Sequence, residues 1–520
     1  MKHLSDPVQG QGSAAAPGTM RIARRVLISL AVVLCAALWL GMLHSPEPNW
    51  DEGWTLSVAR TWVERSIYGQ LLMGQPESPG LAASFLTVAP VAVAFKLLGV
   101  GFWQGRMAIA LINLVALGAL AILARRLYGP LVGNAVVPVL LLTTIHATGN
   151  PLYTARQAMG EPVMLLAMIM AYLFLIPALA GSWPCALVVM VMGGLAMTDK
   201  VQTEPFWLVS LLTPLPLLIW RRRWRMSATL GAILVGSFVA VTLTSYGWNL
   251  IMSRRLLPNA AVADLIRTVA LVTASSSRQL ALEFSAMIAI PTLLGMAWAS
   301  WRLGRSLLRE RSDDPLQVTR LVILAFVGSW YVWFLLLAVG WARYLCPVVF
   351  IGSIFATAML TEWTGGFRPS EIMARLRAGG GPGRAALVAT ALLVVSVPAT
   401  LFHLAYTYTL TNDQALLATS TWLNSRTPPG AVIETNESQL FVYLDRPYHF
   451  PPYQLHVVAN QRINLGEDVP FDYNPLGANP DYLVVGMGVG WGLYDPVIAA
   501  GHFRVIQRYG IYTIYARVRP

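Results

Sequence analysis

Asp51 and Glu52 stand side by side in the segment HSPEPNWDEGW, a few residues past the first apolar run. Acids are scarce here, 25 among 520 residues, so two adjacent carboxylates at the end of a hydrophobic segment demand a reason. A carboxylate at the mouth of a membrane cavity can deprotonate a hydroxyl beside a lipid-borne substrate. The competing reading is structural: Asn49 caps a helix and the acids occupy its first turn. Glu161 opens an apolar stretch after YTARQAMG, either as a second site acid or as a helix-start acid, and Arg156 can pair with it. Lys200, in GLAMTDKVQTEP, and Arg343–Tyr344, in GWARYLCP, border apolar stretches. A cation there binds a lipid phosphate or snorkels to the interface. The chemistry that uses such a set is glycosyl transfer from a lipid-linked phosphosugar. Its leaving group, a polyprenyl phosphate dianion, needs Arg or Lys to stabilise developing charge. Its incoming hydroxyl needs a carboxylate to take the proton. A single displacement assisted by one carboxylate inverts the anomeric centre.

These residues must be held by a membrane. The chain is 56% hydrophobic and 12% charged, with mean hydropathy +0.57. A soluble protein would carry about 25% charge. The net charge of +12 comes from arginines set between apolar runs, which implies orientation in an anionic bilayer and excludes nucleic acid as the partner. Cys35, Cys185 and Cys346 are scattered and show no metal-ligand spacing, so they read as packing residues. An acidic pair can hold Mg²⁺ or Mn²⁺ through oxygen ligands. The displacement needs no cofactor, and a metal-free mechanism is the expectation.

Residues 1–20 read as a disordered tail, and RIARR before an uncleaved apolar run reads as a signal anchor. Apolar spans fall near 26–43, 107–124, 131–147, 161–181, 184–198, 205–220, 227–248, 281–301, 319–340, 344–362 and 386–406. With eleven spans the clusters Arg21/Arg24/Arg25, Arg125/Arg126, Arg221 to Arg225, Arg302 to Arg311 and Arg368 to Arg384 all share one side, as the positive-inside rule requires. Counting 81–100 as a span would break that agreement, so it reads as an outer interfacial helix within 50–106. The N-terminus is then cytoplasmic. Asp51, Glu52, Arg156, Glu161, Lys200, Arg343 and the loop 249–280 all fall outside. That loop carries Arg254 and Arg255, which bind either phosphate or anionic headgroups.

The periodicity changes after residue 406. TNDQALLATSTWLNSRTPPG predicts a helix, and AVIETN, QLFVYLD, DYLVVG, FRVIQRY and IYTIYARV predict short strands, the last two forming a hairpin near Gly510. Residues 407–520 therefore read as a small exterior α/β domain. DRPYHFPPY could contact carbohydrate, although ordinary loop packing is the stronger expectation. Asn436-Glu437-Ser438 matches an N-glycosylation pattern that is common by chance.

Taken in order, the DE pair, FKLLGV.FWQGRMA, ARRLYGP, AR….GE, GLAMTDK and ARYLCP resemble the GT-C superfamily of membrane glycosyltransferases. The resemblance is to the branch holding protein O-mannosyltransferases and the aminoarabinose transferase of lipid A, and it runs from about residue 45 to 362. It implies eleven spans, an exterior C-terminal domain and a polyprenyl-phosphate donor. It makes Asp51 the base or acceptor-orienting acid and Glu161 a second cavity acid, with Lys200 and Arg343/Tyr344 at the donor phosphate. Where the aminoarabinose branch has Lys-Pro-Pro, this chain has Gln75-Pro76-Glu77-Ser78-Pro79, so donor and acceptor identity do not carry over. The WWDYG signature of oligosaccharyltransferases is missing too, which argues against N-glycosylation. The expected product is a cell-envelope lipid, polysaccharide or protein bearing a new sugar, made at the outer face of a bacterial inner membrane. Two other classes compete. A lipid-sugar transporter would show internal repeats and broken helices, and reading the sequence by eye finds no repeat. A non-catalytic assembly factor would use only the exterior domain.

Overall fold

The computed structural model describes residues 17–39, 47–252, 268–308, 314–410, 414–487 and 491–519. Most of the expected tail 1–20 and the pair Arg254/Arg255 lie outside those residues. Among the described residues eight helices are long and apolar enough to cross a membrane: Phe102–Tyr128, Glu161–Leu179, Thr203–Trp220, Trp224–Met252, Ser275–Leu307, Pro315–Leu336, Ala342–Trp363 and Gly380–Tyr408. Three shorter apolar helices, Arg25–Ala37, Pro130–Thr143 and Trp183–Asp199, fall on the other three expected spans. Ala342–Trp363 is the axis of the bundle, 94% buried over its apolar window. Trp224–Met252, at 17%, turns side chains such as Val235, Leu243 and Ile251 outward, where lipid is the natural solvent.

The two ends of the bundle differ in charge. At one end Arg126 donates to the Leu173 carbonyl at 3.2 Å, Arg320 to Leu127 O and Arg221 to Leu307 O. Arg302 pairs with Glu362, and Arg375 holds the carbonyls of Glu362 and Trp363. Arginines of the clusters at 125–126, 221–225, 302–311 and 368–384 therefore meet at this end, Arg221 and Arg375 on carbonyls at helix C-termini, where cations are favoured.

At the opposite end sits a small C-terminal domain. The helix Phe85–Leu98 makes its end contacts at this end of the bundle. Its cap Ser84 bonds Asp199, at the end of Trp183–Asp199, at 2.7 Å. Its far end leads within four residues to Phe102, whose N–H donates to Tyr443 of the C-terminal domain at 3.2 Å. Both ends are thus on one side, and 14 residues span only about 21 Å. Before it, Gln70–Leu72 and Gln75–Glu77 form a two-stranded hairpin turned at Met73–Gly74, so the departure at Gln75-Pro76-Glu77 is the second strand of that hairpin.

The C-terminal domain is a five-stranded mixed sheet in the order Tyr448–His449, Ile433–Thr435, Tyr482–Val485, Tyr512–Arg517, Phe503–Tyr509. The first three strands run parallel, and the last two form the expected hairpin, turned at Gly510 with φ 49°. One expected strand is not there. QLFVYLD forms the three-ten turn Ser438–Val442, because Leu440, Phe441 and Val442 are all buried in sequence and no alternating face exists. Its carbonyls are satisfied by a guanidinium: Arg60 Nη1 donates to Phe441, Val442 and Leu444 at 3.3, 3.2 and 2.9 Å. Asn436 and Ser438 are buried, so the glycosylation pattern is not offered to solvent.

This turn docks on the outer helix Trp50–Arg65. A side chain at Gly53 would collide with the backbone of Ser438 and Gln439, so only glycine permits the approach. Trp54, fully buried, meets Trp50, Phe441, Phe450 and Tyr453 edge-on at 5.2–5.5 Å between centroids. Each such pair adds about 0.5–1.5 kcal/mol beyond area burial. DRPYHFPPY thus serves mainly in packing, with Tyr448 and Phe450 inside the cluster.

Candidate active site at the outer end of the bundle

The capping reading of the acidic pair holds, and it uses both residues. Asn49 Oδ1 accepts from the Asp51 N–H at 2.9 Å and Glu52 Oε2 accepts from the Asn49 N–H at 3.4 Å, a reciprocal cap on the outer helix. Asp51 gives its backbone to this cap and leaves its carboxylate free for other work.

Glu52 is buried against Arg106. Nε and Nη2 of Arg106 donate to Oε1 and Oε2 at 2.8 Å each, and both side chains are fully enclosed. The Ala158 N–H adds a third bond to Oε1 at 3.1 Å. This fork joins the outer helix, the start of Phe102–Tyr128 and the loop before Glu161. Sequence reasoning missed Arg106 as a site-building residue. Its signal was present: an arginine in the second turn of a 27-residue apolar helix requires a partner.

Asp51 instead pairs with Arg343, and both remain part-exposed, at 32% and 26%. Arg343 sits on the turn Ala342–Leu345 that opens the central helix, flanked by the rings of Trp341 (4.9 Å) and Tyr344 (5.4 Å). Glu161 pairs with Lys200, whose ammonium stands 5.7 Å from the same Tyr344 ring. A small recess lies beside these pairs, lined by Glu161 and Arg343 from them and by Gln157, Thr154, Asn113 and Phe350 among others. Tyr344 is therefore the aromatic wall between the two cations.

Arg156 does not pair with Glu161. It is buried, lies 4.4 Å over the Tyr408 ring and donates to the Ala37 carbonyl, tying the first and last membrane helices together. Asp199, next to Lys200, was also missed. Its Oδ1 accepts from Ser84 and Thr87 at 2.7 and 2.9 Å, which seats the interfacial helix against the site. As a shared divalent-cation site the DE pair fits poorly, since both Glu52 oxygens are committed to Arg106 and the backbone.

An outer end built this way, on a bundle with an appended sheet domain, defines a polytopic membrane protein of the GT-C fold. The chain superposes on ArnT from Cupriavidus metallidurans bound to undecaprenyl phosphate with a TM-score of 0.57, at 16% identity over 97% of this chain and 99% of that one. It also superposes on the Archaeoglobus fulgidus oligosaccharyltransferase in the apo form, with a TM-score of 0.54 at 9% identity, over 92% of this chain and 71% of that one. AglB from the same organism, in complex with an inhibitory peptide and a dolichol-phosphate, gives 0.54 at 10% identity over 95% and 74%. No family model matches the chain, and no curated protein sequence matches it.

Proposed function

We propose that this chain is an inverting glycosyltransferase that moves a sugar from a polyprenyl-phosphate donor to a hydroxyl of a cell-envelope acceptor. The reaction occurs at the outer face of a bacterial inner membrane, with the N-terminus cytoplasmic and the sheet domain outside. The observation that carries this reading is the Asp51–Arg343 pair at the rim of a recess also bounded by Glu161 and, through it, Lys200. Two solved relatives in fold are described with undecaprenyl phosphate and dolichol-phosphate bound, which supports a lipid-phosphate donor.

The ion pairs suggest an order of events. Without substrate, Asp51 is neutralised by Arg343 and Glu161 by Lys200. The donor phosphodiester carries one negative charge and competes with the carboxylates for both cations, and its charge grows to two as the bond to the sugar breaks. Arg343 turns to the phosphate and Asp51 is released. The acceptor hydroxyl, beside Asp51, attacks the anomeric carbon from the face opposite the phosphate. The new C–O bond forms as the bond to the phosphate oxygen breaks, the proton passes to Asp51, and the polyprenyl phosphate leaves as a dianion held by Arg343 and Lys200. Glu161 keeps Lys200 in place. The mechanism uses no metal.

The test is mass spectrometry of envelope lipids and glycans from a deletion strain. One sugar should be missing; wild-type chain should restore it and Asp51→Asn should not. An envelope unchanged by deletion would remove the basis for the proposal.

A further inference from the structure

One group of buried polar side chains takes no part in this mechanism. His456, on the helix Gln454–Asn460 of the sheet domain, is 2% exposed and lies where two apolar clusters of that domain meet. Its ring stands 4.8 Å from Trp50, 5.1 Å from Trp491 and 6.2 Å from Trp54, centroid to centroid. Neither imidazole nitrogen has a hydrogen-bond partner among the described residues. In the same junction Trp54 Nε1 and Asn436 Oδ1 are also buried and unpartnered, while the Asn436 carbonyl accepts from Trp50 Nε1 at 2.6 Å. A buried polar atom without a partner keeps the full cost of losing its water. Several in one junction point to a ligand that supplies the missing bonds. Burial pushes the His456 imidazole down to about 3, so it is neutral and offers one donor and one acceptor.

The chemistry of this junction selects among ligands. It carries no net charge for a phosphate. It combines half-exposed indole faces, at Trp50 and Trp491, with an N–H donor, a carbonyl acceptor and a neutral imidazole. Hydroxyl groups donate and accept at once, and the C–H faces of a pyranose stack on aromatic rings. We propose that this junction is a saccharide subsite for the acceptor: a pyranose lies against Trp50 and Trp491 and its hydroxyls bond His456, Trp54 Nε1 and Asn436 Oδ1. Movement of the half-exposed Trp491 ring uncovers the imidazole. Trp50 directly precedes Asp51, so a sugar seated there lies beside the turn that carries the base. The inference rests on the transferase reading and narrows its acceptor to a glycan or glycolipid.

The test uses the full chain in nanodiscs, probed with an array of immobilised oligosaccharides, an array of synthetic peptides, and undecaprenyl phosphate. Wild type should bind at least one saccharide class. Trp491→Ala and His456→Phe should each weaken that binding tenfold or more and leave undecaprenyl phosphate binding unchanged. His456→Phe keeps the ring volume and removes the unpartnered nitrogens, so its melting temperature should equal or exceed that of wild type at neutral pH. Unchanged saccharide binding in both variants, no saccharide bound by wild type, or Trp491-dependent binding of peptides instead would each overturn the subsite. Loss of undecaprenyl phosphate binding in wild type, with variant-sensitive saccharide binding intact, would support the subsite and sink the transferase reading.

Discussion

Glu52 and Asp51 are neighbours in sequence and differ in almost everything that matters to chemistry. Glu52 is sealed from solvent and gripped by both arms of Arg106 and a backbone N–H. Asp51, one residue earlier, has a third of its side chain open and a partner that is itself a quarter open. Helical geometry separates them, because consecutive residues point about 100° apart. One carboxylate faces into the protein and acts as a staple. The other is part-open and is held by Arg343, which lines the recess, in a pair weak enough to exchange. A buried pair resists loss of either member by about 3–5 kcal/mol, whereas exposed pairs are worth about 0–1 kcal/mol.

Breaking each pair separately should expose that contrast. The largest expected effect is on catalysis in Asp51→Asn: sugar transfer falls by about 10²–10⁴-fold, while the thermal midpoint in nanodiscs stays within a degree or two. Glu52→Gln should do the reverse in kind. It leaves the Arg106 charge buried and uncompensated, so the chain should lose about 3–5 kcal/mol, read as a large drop in thermal midpoint and folded yield. Equal thermal behaviour of the two variants would erase the distinction between staple and base.

Arg343→Ala and Lys200→Ala sharpen the open side of the comparison. Each removes a charged phosphate contact worth about 1.5–3 kcal/mol, so undecaprenyl phosphate should bind roughly 10–100-fold more weakly, measured by equilibrium binding in nanodiscs. Arg106→Ala should instead fail at folding. Gly53→Ala tests whether the sheet domain is seated by the helix that carries both acids. Steric insertion there should cost about 1–3 kcal/mol and speed protease release of the C-terminal domain.

The smallest effect concerns pH. His456 is held neutral with a value near 3, against 6.5 for the free side chain. Between those values the unfolded chain binds a proton that the folded chain refuses, so stability falls as pH drops below about 6.5, by at most about 1.4 kcal/mol per pH unit. His456→Phe should flatten that dependence between pH 6.5 and 5. An identical slope in the variant would show that the imidazole titrates freely.

Much of the architecture was legible because membrane proteins obey strong rules. Apolar length located the spans, and the arginine clusters separated the two ends. Asp51, Glu161, Lys200, Arg343 and Tyr344 were visible as polar residues bordering apolar runs, and the fold joins them as two ion pairs flanking the Tyr344 ring, with Glu161 and Arg343 lining one recess. Pairing was not legible. Arg156 lies five residues before Glu161, yet a tight turn sends it to Ala37 and Tyr408, on the first and last membrane helices. Arg106 finds Glu52 across 54 residues. The strand expected over QLFVYLD failed for a related reason: β-forming residues were recruited by tertiary contact with Trp54 and Arg60, which no local pattern records.

The central claim is that Asp51 takes the acceptor proton while Glu52 only builds the site. The most direct test is restoration of the missing envelope sugar in a deletion strain by Asp51→Asn, with variant abundance in the membrane and undecaprenyl phosphate affinity measured in parallel. The account predicts wild-type abundance, unchanged or tighter binding, and no restored sugar. Full restoration of the sugar by Asp51→Asn would contradict it.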